Sequence, residues 1–544
     1  MTIYRFAWTV ALMIAGAGAL AAQAGQAGQH DQHGGLSPDK IGSASVNFQT
    51  SCDAAVKDDF NRAVALLHSF WFAEARAAFE GVLKKDATCP IADWGIALTH
   101  WGNPFGGLKT AQAVQAGQPV ISRARAASNV TPRERDYIAA VAELFSSTEP
   151  TTQRARVVAY EAAMARLARA NPADVEAQIF WALAVTQTAL PTDKTYAQNL
   201  RATGILEPLF KKFPAHPGIA HYIIHAYDVP ALAPKALEAA RRYAALAPDV
   251  PHALHMPSHT FTRVGYWTES IDTNLASADA AAKSHSAFDE LHALDYQVYA
   301  YLQIAQDKAA VGAMDRAQKV VAGGEGAGAG VSGAGSFALA AMPARYALER
   351  RAWAEAAVLP VLPANTPFTQ AMTHFARAIG LARSGKPAAV HAELTALASL
   401  RDRLIAAKDP YWPEQVEIQR RVAEAWMLFA EGKRDAGLTA LASAASAEDA
   451  TDKSAISPGP LAPARELLGY MLLEAGRAKD ALAAFQAVMK KEPNRFLAIY
   501  GAGQAAEALG QTAAARQHYR ALVTMCADAP ADRPELAHAR KMAN

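Results

Sequence analysis

From Phe60 onward, apolar and small residues recur at helical spacing in stretches separated by short turns, many of them containing Gly. The stretches follow one grammar: a helix, a turn, a second helix that opens with an aromatic or acidic residue and then a small one, and a closing Pro. Near the C-terminus the grammar becomes a period. In "GYMLLEAGRAKDALAAFQAVMKKEP" and "GAGQAAEALGQTAAARQHYRALV", Gly469 maps onto Gly503, Gly476 onto Gly510 and Ala481 onto Ala515, each 34 residues apart. The same register makes 70–90, 234–248, 265–278, 351–360 and 432–445 second helices of further units. Roughly eight to ten helical hairpins result, one supersecondary unit per repeat.

A 34-residue helix–turn–helix unit is the tetratricopeptide length, with small residues where the paired helices touch. The fold expected is therefore all-α: a tetratricopeptide-repeat α-solenoid, a right-handed superhelix of antiparallel helix pairs. A chain of 544 residues outgrows a single compact core, and its 51 % hydrophobic content suits stacked helices. The stretch "GGEGAGAGVSGAGS" (323–336) breaks the helical register and reads as a loop between an N-terminal half, 48–322, and a C-terminal half, 337–544.

Charge narrows the partners. With 53 basic and 51 acidic residues and no basic stripe, the chain has no field to hold nucleic acid. At the N-terminus, Arg5, the apolar run from Phe6 to Leu20 and small residues at 21–24 read as a signal peptide (1–24), so a periplasmic or secreted location is expected. Residues 25–47, polar and Gly-rich with His30 and His33, read as a disordered leader. No other segment is apolar enough to span a bilayer. Cys52 and Cys89 flank the first hairpin, whose two ends lie close together, so a Cys52–Cys89 disulfide is expected, with Cys526 free.

Sixteen histidines predict about one in any window of 39, yet 221–259 holds five: His221, His225, His252, His255 and His259. His221/His225 and His255/His259 are i, i+4 pairs offset by 34, so they occupy equivalent places on the first helices of consecutive repeats, the face that lines the inner groove. Asp228 and Arg263 extend the two faces, and in the next repeat His292, Asp295 and Tyr299 take the places of His252, His255 and His259. Imidazole and carboxylate donors converging from rigid helices suit zinc, copper or iron. Pro257 either distorts the second pair's helix or starts it. The same stripe is also consistent with a polar groove for a peptide or small anionic ligand, or with a buried hydrogen-bond network. Arg345 falls at an equivalent inner position, where it contacts an anion in the groove or bridges to a neighbouring acid.

The phrases "LLHSFWFAEARAAFE", "ADWGIALTHWGNP", "HYIIHAYD", "HMPSHTFTRVGYW", "PARYALERRAW" and "PGPLAPARELLG" resemble a family of exported bacterial tetratricopeptide-repeat proteins, and more distantly the tetratricopeptide-repeat protein 38 group. The likeness implies a repeat solenoid in the bacterial envelope. It assigns no catalytic residue; its motif positions fall here on His221, His225, Asp228, His255, Pro257, His259 and Arg263. The leading expectation is a binding or scaffold protein whose groove recognises a protein, peptide or small ligand beside a metal-binding patch, acting by coordination rather than turnover. A metal-dependent hydrolase built on the same stripe, without the His-Glu-x-x-His signature, and a plain assembly module are the alternatives.

Overall fold

The computed structural model describes residues 38–322, 333–363, 366–530 and 532–543. The signal-like segment, the leader up to residue 37 with His30 and His33, and positions 323–332 of the Gly-rich stretch lie outside the described residues. Among those described, every regular element is helical.

The 34-residue period has a steric cause. Ala464–Glu474 pairs with Ala478–Lys491, and Phe496–Ala508 with Thr512–Met525. Gly476 and Gly510 turn each pair with φ of +76° and +71°, where a side chain is strained. Gly469 and Gly503 lie under the aromatic ring that the partner helix carries: a Cβ on Gly469 would sit 2.6 Å from Phe485, and one on Gly503 2.5 Å from Tyr519. Each hairpin thus closes by pressing an aromatic ring onto a helix with no side chain at that point. The stack is a tetratricopeptide-repeat α-solenoid.

It runs to more hairpins than the eight to ten expected. Ile91–Trp101 with Ala111–Ala126, Pro132–Leu144 with the helix Gln153–Ala170, and Val175–Gln187 with Ala197–Lys212 are joined by longer connections, the last two without Gly. One expected second helix, in 351–360, is reduced to Trp353–Ala356.

The N-terminal boundary also shifts. Residues 38–47, expected to belong to the leader, are in place: Pro38–Ile41 is helical, and Ile41, Val46 and Phe48 are buried. Those three apolar residues, spaced through a polar run, anchor it. Phe48 meets Phe60, Trp94 and Tyr137 at ring-centroid distances of 4.9–5.3 Å. Cys52 and Cys89 are joined in a disulfide with Cα atoms 4.8 Å apart, closing the hairpin Lys57–His68 with Phe72–Lys85 at its base. Cys526 is a buried free thiol.

Buried polar contacts cross the division expected at 323–336, Arg495 to Tyr299 among them. Ala334–Glu349 begins inside that stretch. Its Glu349 accepts from the fully buried Arg495 at 2.5 Å, and Arg495 also donates to Glu466 at 2.7 Å and to the Tyr299 hydroxyl at 3.2 Å. A second crossing comes from the non-helical segment between Arg434–Asp449 and Ala464–Glu474, which lays Lys453, Ser457 and Gly459 against the His-bearing helices.

A Gly503→Ala substitution is expected to cost about 1–3 kcal/mol by forcing the buried Tyr519 ring aside. Chemical denaturation measures this, and an unchanged midpoint would contradict the packing account.

Candidate metal centre

Three consecutive first helices build the site. Pro217–Ala226 starts on a Pro, whose fixed φ suits the first helical position, and carries His221 and His225 on one face. The next first helix is interrupted. Pro251–His255 passes through Met256, at φ −54° and ψ −35°, into Pro257–Val264, so the chain stays helical across Pro257. The His259 amide bonds the Met256 carbonyl at 3.1 Å, and His255 and His259 remain one turn apart on a shared face. Ala287–Gln303, capped by the Ser286 side chain accepting from Asp289, contributes His292, Asp295, Tyr296 and Tyr299.

The imidazoles gather as two trios. His221, His225 and His252 offer ligand nitrogens all within 4.8 Å of one another, and so do His255, His259 and His292. In the first, His221 Nε2 lies 3.2 Å from His252 Nε2; in the second, His255 Nε2 lies 3.1 Å from His259 Nε2. Nitrogens sharing an ion at 2.0–2.1 Å in tetrahedral geometry stand roughly 3.3 Å apart. The trios adjoin, with ring centroids 6.1 Å apart for His225 and His259 and 6.3 Å for His252 and His255. His225 Nε2 and His292 Nδ1 are buried without a hydrogen-bond partner.

Proton placement decides what the second trio can do. Asn274 Nδ2 donates to the Ser270 carbonyl at 2.6 Å, which fixes its Oδ1 towards His255 Nδ1, 2.7 Å away. That nitrogen must therefore carry hydrogen. His259 Nδ1 faces the Asp228 carboxylate at 2.9 Å and must carry hydrogen too. A neutral imidazole has one N–H, so both Nε2 atoms present lone pairs to each other across 3.1 Å. In the first trio, His221 Nδ1 donates to the His68 carbonyl at 2.6 Å, and its Nε2 lone pair likewise faces inward. Acceptors behind the rings that aim the front nitrogens are the arrangement of ligating histidines.

The surroundings keep the rings neutral. Burial, reinforced by the neighbouring imidazoles, holds His221, His225, His252, His255 and His292 well below the ordinary histidine pKa, and burial lowers His259 despite Asp228. Aromatic rings wall the first trio: His221 stacks on Tyr243, with centroids 5.0 Å apart, and His225 on Phe105, at 4.3 Å.

The charged residues of the stripe play other parts. Asp228 stands behind His259 and not among the front nitrogens. Arg263 Nε reaches it at 2.8 Å and Lys453 Nζ at 3.1 Å. Burial works against the Asp228 carboxylate, yet Lys453, Arg263 and His259 together hold it well below the usual range. Asp295 and Arg345 do not face an open groove. Both are fully buried and form an ion pair with each other, because the 451–461 segment covers the face where a groove was expected. Tyr299 is also buried, between Arg495 and Glu492.

No family model matches the chain. No curated protein matches it in sequence either. Among solved structures, the P58(IPK) TPR domain aligns at 15 % identity over 68 % of this chain and 98 % of its own, with a TM-score of 0.21. The APC/C hetero-tetramer Cut9–Hcn1 aligns at 10 % identity over 90 % and 89 %, with a TM-score of 0.32. The hairpins themselves, not these superpositions, define the architecture.

Two other clusters are held mainly by their own members, with His216 Nδ1 left buried without a partner. His68 Nε2 and His216 Nε2 both meet Glu176, at 2.8 and 3.1 Å, and His68 Nδ1 meets Tyr222 at 3.0 Å. Cys52 and Cys89, near Asp86, are spent on each other. Asn274, Tyr296 and Lys453 were missed by the sequence reading. Asn274 lies one turn beyond the small residue that marks its repeat, whereas Lys453 is 225 residues from Asp228 and carries no local signal. A cleft lined by Phe105, His225, Asp228, Tyr411, Trp412 and Lys453 leads to the histidines.

The pH dependence follows in sign. Rings that stay neutral when folded but titrate near 6.5 when unfolded leave the unfolded chain holding more protons below that pH, so stability is complete above it and falls as pH drops. The melting temperature of metal-free protein is expected to fall steeply from pH 7 to 5, and a flat profile over that window would contradict buried neutral rings.

Proposed function

We propose that this is an exported tetratricopeptide-repeat protein that holds a late first-row transition metal, zinc, copper or iron, on its buried histidines and offers it to a protein, peptide or small-molecule partner at the adjoining cleft. The carrying observation is the pair of Nε2 lone pairs facing at 3.1 Å, each fixed by an acceptor behind its ring. A cation between them turns a repulsion into two bonds. Imidazole donors suit these three metals, and tetrahedral coordination matches the spacing. Export is supported by the signal-like N-terminus and by the Cys52–Cys89 disulfide, which persists in oxidising compartments.

The hydrolase alternative needs a general base. Asp228 is engaged by His259, Arg263 and Lys453, and Asp295 by Arg345, so neither carboxylate is free to take a proton from water. Metal retention and presentation therefore stand ahead of turnover.

Protein purified without a histidine tag is expected to retain zinc, copper or iron by elemental analysis and to melt higher when metal is restored after chelation. Asn274→Ala, which frees the His255 ring, is expected to weaken binding roughly 10- to 100-fold while circular dichroism stays unchanged. Protein that neither retains these metals nor shifts its melting temperature with any of them would defeat the reading.

A further inference from the structure

The six imidazoles exceed what one ion uses. A tetrahedral site takes four ligands, and a site that keeps an open position takes three from the protein. Each trio supplies three, arranged alike: one close Nε2–Nε2 edge, at 3.2 Å for His221 and His252 and 3.1 Å for His255 and His259, and a third ring whose buried nitrogen has no partner, His225 Nε2 and His292 Nδ1. The trios abut: ring centroids lie 4.8–6.3 Å apart within the first and 4.3–6.4 Å within the second, and 6.1–6.3 Å separates His225 from His259 and His252 from His255. Ions in paired sites stand about 3.5–4 Å apart, bridged by an oxygen.

Charge points the same way. Six neutral imidazoles bring no negative charge. Of the nearby carboxylates, Asp295 is neutralised by Arg345, and Asp228 is shared by Arg263 and Lys453. Two dications in that buried setting require anions from outside the chain. The cleft at His225 and Asp228 gives such anions a way in. Lys453, nearly buried with its pKa lowered to about 8 by burial and lining the cleft, is a donor placed to hold an oxygen ligand, whereas the Tyr296 hydroxyl gives its proton to the Ser457 carbonyl at 3.1 Å.

We propose that the cluster is a dinuclear centre, one metal ion per histidine trio, whose open positions share a small anionic oxygen donor, hydroxide or a small oxyanion, admitted through the cleft at His225. This rests on the metal-binding reading above, and its failure is separable from that one.

The test loads untagged full-length protein with copper(II), removes unbound metal by desalting, and counts ions by elemental analysis beside the electron paramagnetic resonance signal. Wild type is expected to hold two ions per chain, with spin intensity far below the copper count because an oxygen-bridged pair couples. His252→Gln, at the least buried ring of the first trio, and His292→Gln in the second are each expected to drop retention to one ion and restore the isolated-copper signal. Circular dichroism and melting confirm that both variants fold. A single ion in wild type, abolished by either variant, would overturn the dinuclear inference while keeping metal binding. Two ions with full, uncoupled intensity would overturn the shared ligand. No retained copper, zinc or iron at all would remove the metal reading itself.

Discussion

An imidazole has two nitrogens and, when neutral, one proton, so whatever stands behind a buried ring determines what its front nitrogen offers. Here the backs of three rings are occupied by the His68 carbonyl, Asn274 Oδ1 and the Asp228 carboxylate, all of which accept. Their fronts therefore present lone pairs inward, His221 towards His252 and His255 towards His259. Burial denies the alternative of protonating the rings, since a charged imidazole there has lost its water. Donor direction, ring neutrality and the need for a cation are three consequences of that one constraint.

The repeat architecture makes the constraint possible. Equivalent first helices, set side by side, deliver histidines at matching heights without any loop having to fold onto a metal. Rigid helices of this kind hold ligands more closely than loops do. Pro257 removes one amide from the helix but leaves the chain helical through Met256, so the face of His255 and His259 survives. The 451–461 segment then turns an exposed inner wall into a buried one: Ser457 accepts from Tyr296, Gly459 from Arg345, and Lys453 completes the shell of Asp228. Burial from all sides, this cover included, lowers the histidine pKa values, and Lys453 enters the site's charge balance.

The helical period and the His stripe were legible in the sequence because both are local. A 34-residue offset repeats Gly469 at Gly503, and the same offset repeats His221 and His225 at His255 and His259. The hairpins between Ile91 and Lys212 were less legible, since their connections are longer than the short turns of the other units. What the stripe would face was not legible at all. Asp295 and Arg345 share the inner face with the histidines by register, but only the tertiary approach of Ala334–Glu349 to Ala287–Gln303 turns them towards each other. Lys453 reaches Asp228 from 225 residues away, and no spacing rule carries that distance. The sequence likewise pointed to a single stripe, whereas the rings divide into two trios, His252 joining His221 and His225, and His292 joining His255 and His259.

Anomalous X-ray diffraction at the absorption edge of the retained metal, on crystals of untagged protein, tests the central claim most directly. The account predicts an anomalous peak between His255 Nε2 and His259 Nε2, about 2.0–2.1 Å from each. Well-ordered rings at these positions with no anomalous density between them at the zinc, copper or iron edge would contradict it.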